Sequence, residues 1–531
     1  VEQENSNSDK LRINRRQVLK GTAAVPLTAA AASLAPDSSL AESSRAESTR
    51  GKPNSAIIQA ENARPGSRDW QLTRVRVNEG KFRTSLIEGY CSHQSIKAGE
   101  TLQFFVSSKP ARPFTLDIYR MGYYGGAGAR KMATMGPLPG KTQPTPEMGP
   151  APGRLRECEW EPSAELKIPE DWVSGVYLGK LTTIPIAKSE PYWQSYVIFV
   201  VHDDREAEIL YQCSDNTWQA YNRWPQNESL YTHPDGAHAP GVAVSFDRPY
   251  GMYTQIYEPP LSIGSGEFLL WEYPLCYWLE KHGYDVTYSS NCDTIDPKFI
   301  SRCRTFLSIG HDEYWDLRQY QATESAIGAG VNVLWLCGNS VFIVSPFSAS
   351  SAGAKNRIIT REGCYGPLRE DELESYSSLF AGLKSTGPDE RNIIGARSVV
   401  PFNGGGDWTR THPDHWLFTG TGLHKGESIP GLVGWEHHGE PDLNRKGLEV
   451  LAEGSVWAGG TREGRYTATI YPGPKGNFVF NAATIFWAQG LAAPPGHTIP
   501  WSHWSRPHGP DERVQKMMKN LLSKASQTKR S

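Results

Sequence analysis

The chain has 531 residues, with 55 Lys+Arg against 57 Asp+Glu and a net charge of -2. That balance carries no electrostatic footprint for nucleic acid or an anionic membrane surface. Apolar residues at 38% and charged residues at 21% exclude a disordered chain, a coiled coil, collagen and a polytopic membrane protein.

The chain opens on an address. Lys10, Arg12, Arg15 and Arg16 form a basic region, and Asn14-Arg15-Arg16-Gln17-Val18-Leu19-Lys20 resembles a twin-arginine export motif. An apolar stretch over 21–34 follows, shorter than the roughly 20 residues that span a bilayer. Ser39-Leu40-Ala41 suits a signal peptidase. These parts predict a leader over 1–41, a disordered linker over 42–55, and a periplasmic or extracellular destination. The twin-arginine route carries folded proteins, so a cofactor would be loaded before export.

From 56 to 204 the pattern is β. Phe114, Leu116 and Ile118 alternate with Thr115, Asp117 and Tyr119, the period of a half-buried strand. Further strands are expected over 102–106, 176–181 and 196–201. Pro- and Gly-rich spacers such as 136–153 suggest an Ig-like β-sandwich. Gly122, Gly125, Gly126 and Gly128 read as a turn, because no helix with a Lys-Ser/Thr pair follows to cradle phosphate.

From 205 to 525 strands and helices alternate. Strands are expected over 208–211, 284–288, 305–309 and 331–336. Helices are expected after Ser214-Asp215, over 267–282, after Asp296-Pro297, and over 314–329. Later come strand-like pieces at 448–451, 466–470 and 476–481, then a helix over 511–524. This order predicts an α/β domain with a parallel sheet and helices on both faces.

In such sheets ligands bind beyond the carboxyl ends of the strands. Ser214, Asp215 and Asn216 follow one strand; Gly310, His311, Asp312 and Glu313 follow a second; Cys337, Gly338 and Asn339 follow a third. Singly, His311 reads as a strand-end cap and Glu313 as a first-turn helix carboxylate. Together with Asn339 they predict a site. The cysteines, Cys91, Cys158, Cys213, Cys276, Cys292, Cys303, Cys337 and Cys364, contain no C-x-x-C pair, which argues against a structural thiolate zinc site and leaves one or two disulfides open.

Asn216-Thr217-Trp218-Gln219-Ala220-Tyr221-Asn222, Ser229-Leu230-Tyr231, Gly310-His311-Asp312-Glu313-Tyr314-Trp315, Gly338-Asn339 and Gly434-Trp435-Glu436, in that order, resemble the large (β) subunit of N,N-dimethylformamidase and its relatives. The resemblance covers about 206–522. It implies a class I glutamine amidotransferase-like α/β fold and a mononuclear iron, Fe(III), held by Tyr221, Tyr231 and Glu313. It also implies that His311, Asn339 and Glu436 assist amide hydrolysis, with Glu449 competing for the last place. Phenolate and carboxylate are hard anionic donors suited to such an ion, which would polarise an amide carbonyl and activate water. The implied partners are a small-molecule amide, and a small subunit or further copies of the chain. The export leader departs from the intracellular formamidase, so its substrate does not carry over.

Other arrangements compete. His233-Pro-Asp235-Gly-Ala-His238 reads as a solvated loop or a two-His site. Asp247 and Arg248 read as an ion pair or as groups at the site's mouth, and His437-His438 as support for the site or exposed loop. Cys337 with His311 would make a thiol-dependent hydrolase. The Trp-rich composition on a sandwich would suit a non-catalytic secreted protein binding glycan or a small molecule.

Overall fold

The structure is a computed structural model that describes residues 56–79, 82–233, 241–251, 262–368, 383–398, 404–434, 436–497 and 509–528. All belong to one compact unit, Arg50–Ser531. The expected leader and linker, Asp235, His238 and Trp435 lie outside the described residues.

Two sheets form the first part. Glu88–Cys91, Thr101–Ser107 and Ala164–Lys167 make an antiparallel three-stranded sheet. Ser95–Lys97, Gln194–His202, Gly175–Thr183, Phe114–Met121 and Ala129–Leu138 make a five-stranded one. The alternating residues read from the sequence turn inward: Leu102, Phe104 and Val106 share one apolar core with Leu116, Ile118 and Phe199. Strand Ala129–Leu138 was not expected. Its side chains show no regular alternation of burial, so only its backbone pairing with Phe114–Met121 makes it a strand.

The second part is built on a seven-stranded sheet. In spatial order its strands are Val286–Ser289, Ile209–Gln212, Thr305–Gly310, Asn332–Cys337, Phe478–Asn481, Thr461–Pro472 and Glu449–Ala458. The first five run parallel, Thr461–Pro472 runs against them, and Glu449–Ala458 pairs antiparallel with it, so the sheet is mixed rather than wholly parallel. The fold is mixed α/β. Both faces are covered, as the nearly continuous apolar strands require. Phe306, Val333 and Trp335 face helix Leu317–Ala329, while Leu307, Ile309 and Leu334 face helices Tyr273–Lys281 and Glu512–Ser526.

Two expected helices are redrawn. The segment over 267–282 begins as a π-helical turn, Phe268–Glu272, before the α-helix Tyr273–Lys281. The helix expected over 314–329 starts at Leu317, because Asp316 and Gln319 form a capping box there. Tyr314–Trp315 is instead a short strand paired with Ile343–Val344. Glu313 is therefore not a first-turn helix carboxylate. All eight cysteines are free thiols. Among the described residues no helix is long and apolar enough to cross a membrane.

A buried ion pair joins the two parts. Arg120 of the five-stranded sheet donates to both oxygens of Glu280 on helix Tyr273–Lys281, at 2.9 and 2.8 Å. Glu280 also accepts from Tyr288 and Asn62, so its lone pairs are well used.

Candidate functional site

The strands Ile209–Gln212, Thr305–Gly310 and Asn332–Cys337 are neighbours, so the polar residues after them gather at one edge. Helix Asp215–Tyr221 is fixed there by its own first residues. Ser214 Oγ donates to the Ile309 carbonyl at 2.8 Å, and Asn216 Nδ2 to the Tyr314 carbonyl at 3.0 Å. Thr217 Oγ1 accepts from the Glu313 amide at 2.9 Å. The helix is thus pinned to the backbone that carries Glu313, and its last residue, Tyr221, donates its hydroxyl to Glu313 Oε2 at 2.8 Å.

Tyr231 reaches the same carboxylate from a loop. Ser229 Oγ accepts from the backbone amides of Tyr231 and Thr232, a side-chain-closed turn. The Tyr231 hydroxyl then donates to Glu313 Oε1 at 2.8 Å. The Tyr221 and Tyr231 rings stack with centroids 4.3 Å apart. Arg248 holds the segment between them. Its Nε donates to Gln219 Oε1, and its two terminal nitrogens donate to the carbonyls of Trp224, Glu228, Gln219 and Asn222. Burial without a carboxylate partner on those donors pulls Arg248 down to about 10.

His311 Nε2 lies 3.2 Å from Glu313 Oε2 and 3.7 Å from Glu436 Oε1. Gly338 explains how the chain around Glu436 comes so close: a Cβ there would stand 2.1 Å from the Glu436 carbonyl oxygen. Asn339 follows in the left-handed region at φ 48°, one of the few non-glycine residues placed so, and its side chain hydrogen-bonds Glu436. All six side chains expected at the site therefore cluster. His311, Asn339, Glu313 and Glu436 are at most 2% exposed.

The electrostatics are one-sided. Burial, then the charge of Glu313, holds the Glu436 carboxyl well above the usual range against the Asn339 hydrogen bond; Glu267 adds to the rise. Burial and Glu313 likewise raise both phenols well above their ordinary value. Asn339 Oδ1 and Glu436 Oε2 are buried with no hydrogen-bond partner among the described residues. Neighbouring Asp312 belongs to a separate network, accepting from Gln212, Ser308 and Asn291, and burial pushes it up to about 6.

Among the described residues no three His, Cys, Asp or Glu side chains are arranged to hold a metal. The candidate set is of another kind, two phenols and one carboxylate. Each phenol oxygen is 2.8 Å from an oxygen of Glu313. These are the lengths of the O–H···O hydrogen bonds themselves; in chemistry, phenol and carboxylate oxygens are hard donors of the kind a hard cation takes.

Of the competing arrangements, the thiol and Glu449 readings lose support. Cys337 is fully buried, accepts from Ser340 Oγ at 2.6 Å, and burial pushes its thiol up to about 12. Burial thus works against the thiolate a nucleophile needs. Glu449 is 45% exposed and pairs with His412, away from the cluster. Asp247 pairs with Arg357, not Arg248. His437 and His438 are buried, not exposed loop. His438 Nε2 accepts from the Ser340 amide, so Nδ1 carries the proton to Asn481, and burial lowers this imidazole to about 4. His233 is buried rather than solvated.

Sequence reasoning named Arg248 and Asn216 but missed the supporting roles they and Thr217 play. Arg248 closes backbone carbonyls, and Thr217 and Asn216 hold the backbone around Glu313; neither role leaves a spacing signal. Glu267, before the π-helical turn, was read only as a helix start, though π turns often mark functional sites.

Fold and site together define a mixed α/β protein with a buried phenol–carboxylate–imidazole cluster at the carboxyl edge of its parallel strands. The chain belongs to the N,N-dimethylformamidase beta subunit-like family: residues 115–500 match the family's C-terminal description. The match begins inside the five-stranded sheet, well before 206. No curated protein sequence matches the chain.

Proposed function

We propose that the chain is an iron-dependent amidohydrolase that cleaves the C–N bond of a small carboxamide. The observation that carries this reading is the convergence of two phenol hydroxyls on the two oxygens of one buried carboxylate, Glu313. A second acid, Glu436, is held well above its usual range by burial, by Glu313 and by Glu267, so both acids can ionise together only when a cation enters to offset them. Tyr221, Tyr231 and Glu313 would hold the cation. Its hard oxygen donors suit iron(III), which when bound supplies Lewis acidity toward an amide carbonyl. His311, between Glu313 and Glu436, is placed to accept a proton from attacking water and to return it to the departing amine. Asn339 orients Glu436 through one amide hydrogen and has a second to offer a developing oxyanion.

The finer parts of the reading follow from the family and the N-terminal motif. The α/β part is assigned to the class I glutamine amidotransferase-like folds, and 56–204 to a separate β-sandwich domain. The basic motif at 14–20 directs twin-arginine export to the periplasm or beyond. The family's name denotes a beta subunit, and a small partner subunit is part of the proposal.

The test is amine or ammonia release from a panel of simple carboxamides by protein produced in iron-replete cytoplasm. Activity is expected to disappear on chelation and return with iron. Hydrolysis that survives complete iron removal contradicts the proposal.

A further inference from the structure

Tyr314 is fully buried, and its hydroxyl donates to the Tyr231 oxygen at 2.6 Å. The direction of that bond is forced. The one proton of Tyr231 goes to Glu313 Oε1, so the bridging proton belongs to Tyr314. Its ring stands edge-on to both candidate ligands, at 87° to Tyr231 and 89° to Tyr221. Apolar neighbours Leu230, Phe246, Phe342 and Ile359 pack in the same cluster. Its backbone is held at both ends: the carbonyl accepts from Asn216 Nδ2, and the amide leans on Thr217 Oγ1 at 3.4 Å. Tyr314 is therefore preorganised, and its hydroxyl has a fixed target.

We infer that Tyr314 is a positioning residue that hydrogen-bonds the Tyr231 ligand oxygen, fixes its orientation and makes Tyr231 the weaker electron donor of the two phenolates. The inference rests on the proposed iron site. When Tyr231 binds the cation as a phenolate, its proton being released to solvent, its oxygen keeps the hydrogen bond from Tyr314, which becomes charge-assisted and stronger. Partners of this kind orient metal ligands and tune the metal. The two tyrosines, alike in their contact with Glu313, thereby become inequivalent.

The readout is the tyrosinate-to-iron absorption band of the iron-loaded full chain. A phenolate freed of a hydrogen bond gives up an electron more easily. Tyr314→Phe is therefore expected to keep its iron and shift the band to longer wavelength. Tyr320→Phe removes a buried hydroxyl that bonds the remote Asp389 carbonyl and is expected to leave the band in place. Fluorotyrosine at position 314, a stronger donor of nearly the same size, is expected to shift the band to shorter wavelength, and it serves if Tyr314→Phe does not fold. An unmoved band in iron-loaded Tyr314→Phe or in the fluorotyrosine protein overturns the role of Tyr314 alone. Wild type without iron or band overturns the site reading, and this role with it.

Discussion

Two groups of buried ionisable side chains in this chain are resolved in opposite ways. Where the five-stranded sheet meets helix Tyr273–Lys281, every charge meets its opposite: Arg120 binds Glu280, and Arg130 binds Glu61. The spare lone pairs there accept from Tyr124, Tyr288 and Asn62. At the sheet edge, Glu313 and Glu436 share a pocket with two phenols and one imidazole, and Glu436 is forced well above its ordinary range. The first arrangement is complete within the protein and holds the fold. The second buries two acids that cannot ionise together without a counter-charge, as sites built for a ligand do.

The largest effect expected from this contrast is at Glu313. Glu313→Ala removes the acceptor of both phenols, so iron content should fall to background while the chain still folds, read by metal analysis and circular dichroism. The mirror experiment is Glu280→Gln, which strips Arg120 of its counter-charge. It should cost about 3–5 kcal/mol in denaturant unfolding and leave iron per folded chain unchanged. Arg248→Met lies between the two classes. Leaving several buried carbonyls unpaired should cost at least about 3 kcal/mol and also lower iron content, since both tyrosine-bearing segments lose their clamp.

Smaller effects sharpen the picture. Burial pushes the Asp215 carboxyl up to about 8 from an ordinary 3.8. The folded chain thus keeps a proton that the unfolded chain releases. This contribution to stability is full below about pH 4 and is lost as pH rises through about 8. Asp215→Asn stays neutral, so its stability relative to wild type should improve steadily between those limits, as followed by denaturant midpoints. Smallest of all, Cys337→Ala should cost about 1 kcal/mol and leave amide hydrolysis intact; loss of activity would restore the thiol route.

Much of this was legible in the sequence because it rests on local pattern. Apolar runs placed the three strands, and the residues just beyond them had to share an edge. The motif resemblance then singled out Tyr221 and Tyr231, which composition alone could not, with 23 Tyr in the chain. What escaped was long-range pairing. The antiparallel strands Thr461–Pro472 and Glu449–Ala458 were seen only as short pieces, because exposed Arg462 and Arg465 and half-buried Glu463 break the apolar pattern. The start of helix Leu317–Ala329 was set by the Asp316 cap, which outweighed the apolar Tyr314 and Trp315 before it. Arg248 and Thr217 act on backbone groups, and nothing in their spacing announces that.

The central claim is that two phenol oxygens and one carboxylate hold a common cation. Iron per chain in wild type against the double variant Tyr221→Phe/Tyr231→Phe tests it most directly, since Phe keeps the stacked rings and removes only the donor oxygens. The account predicts about one iron and a visible band in wild type, and neither in an equally folded double variant. Equal iron in both proteins would contradict it.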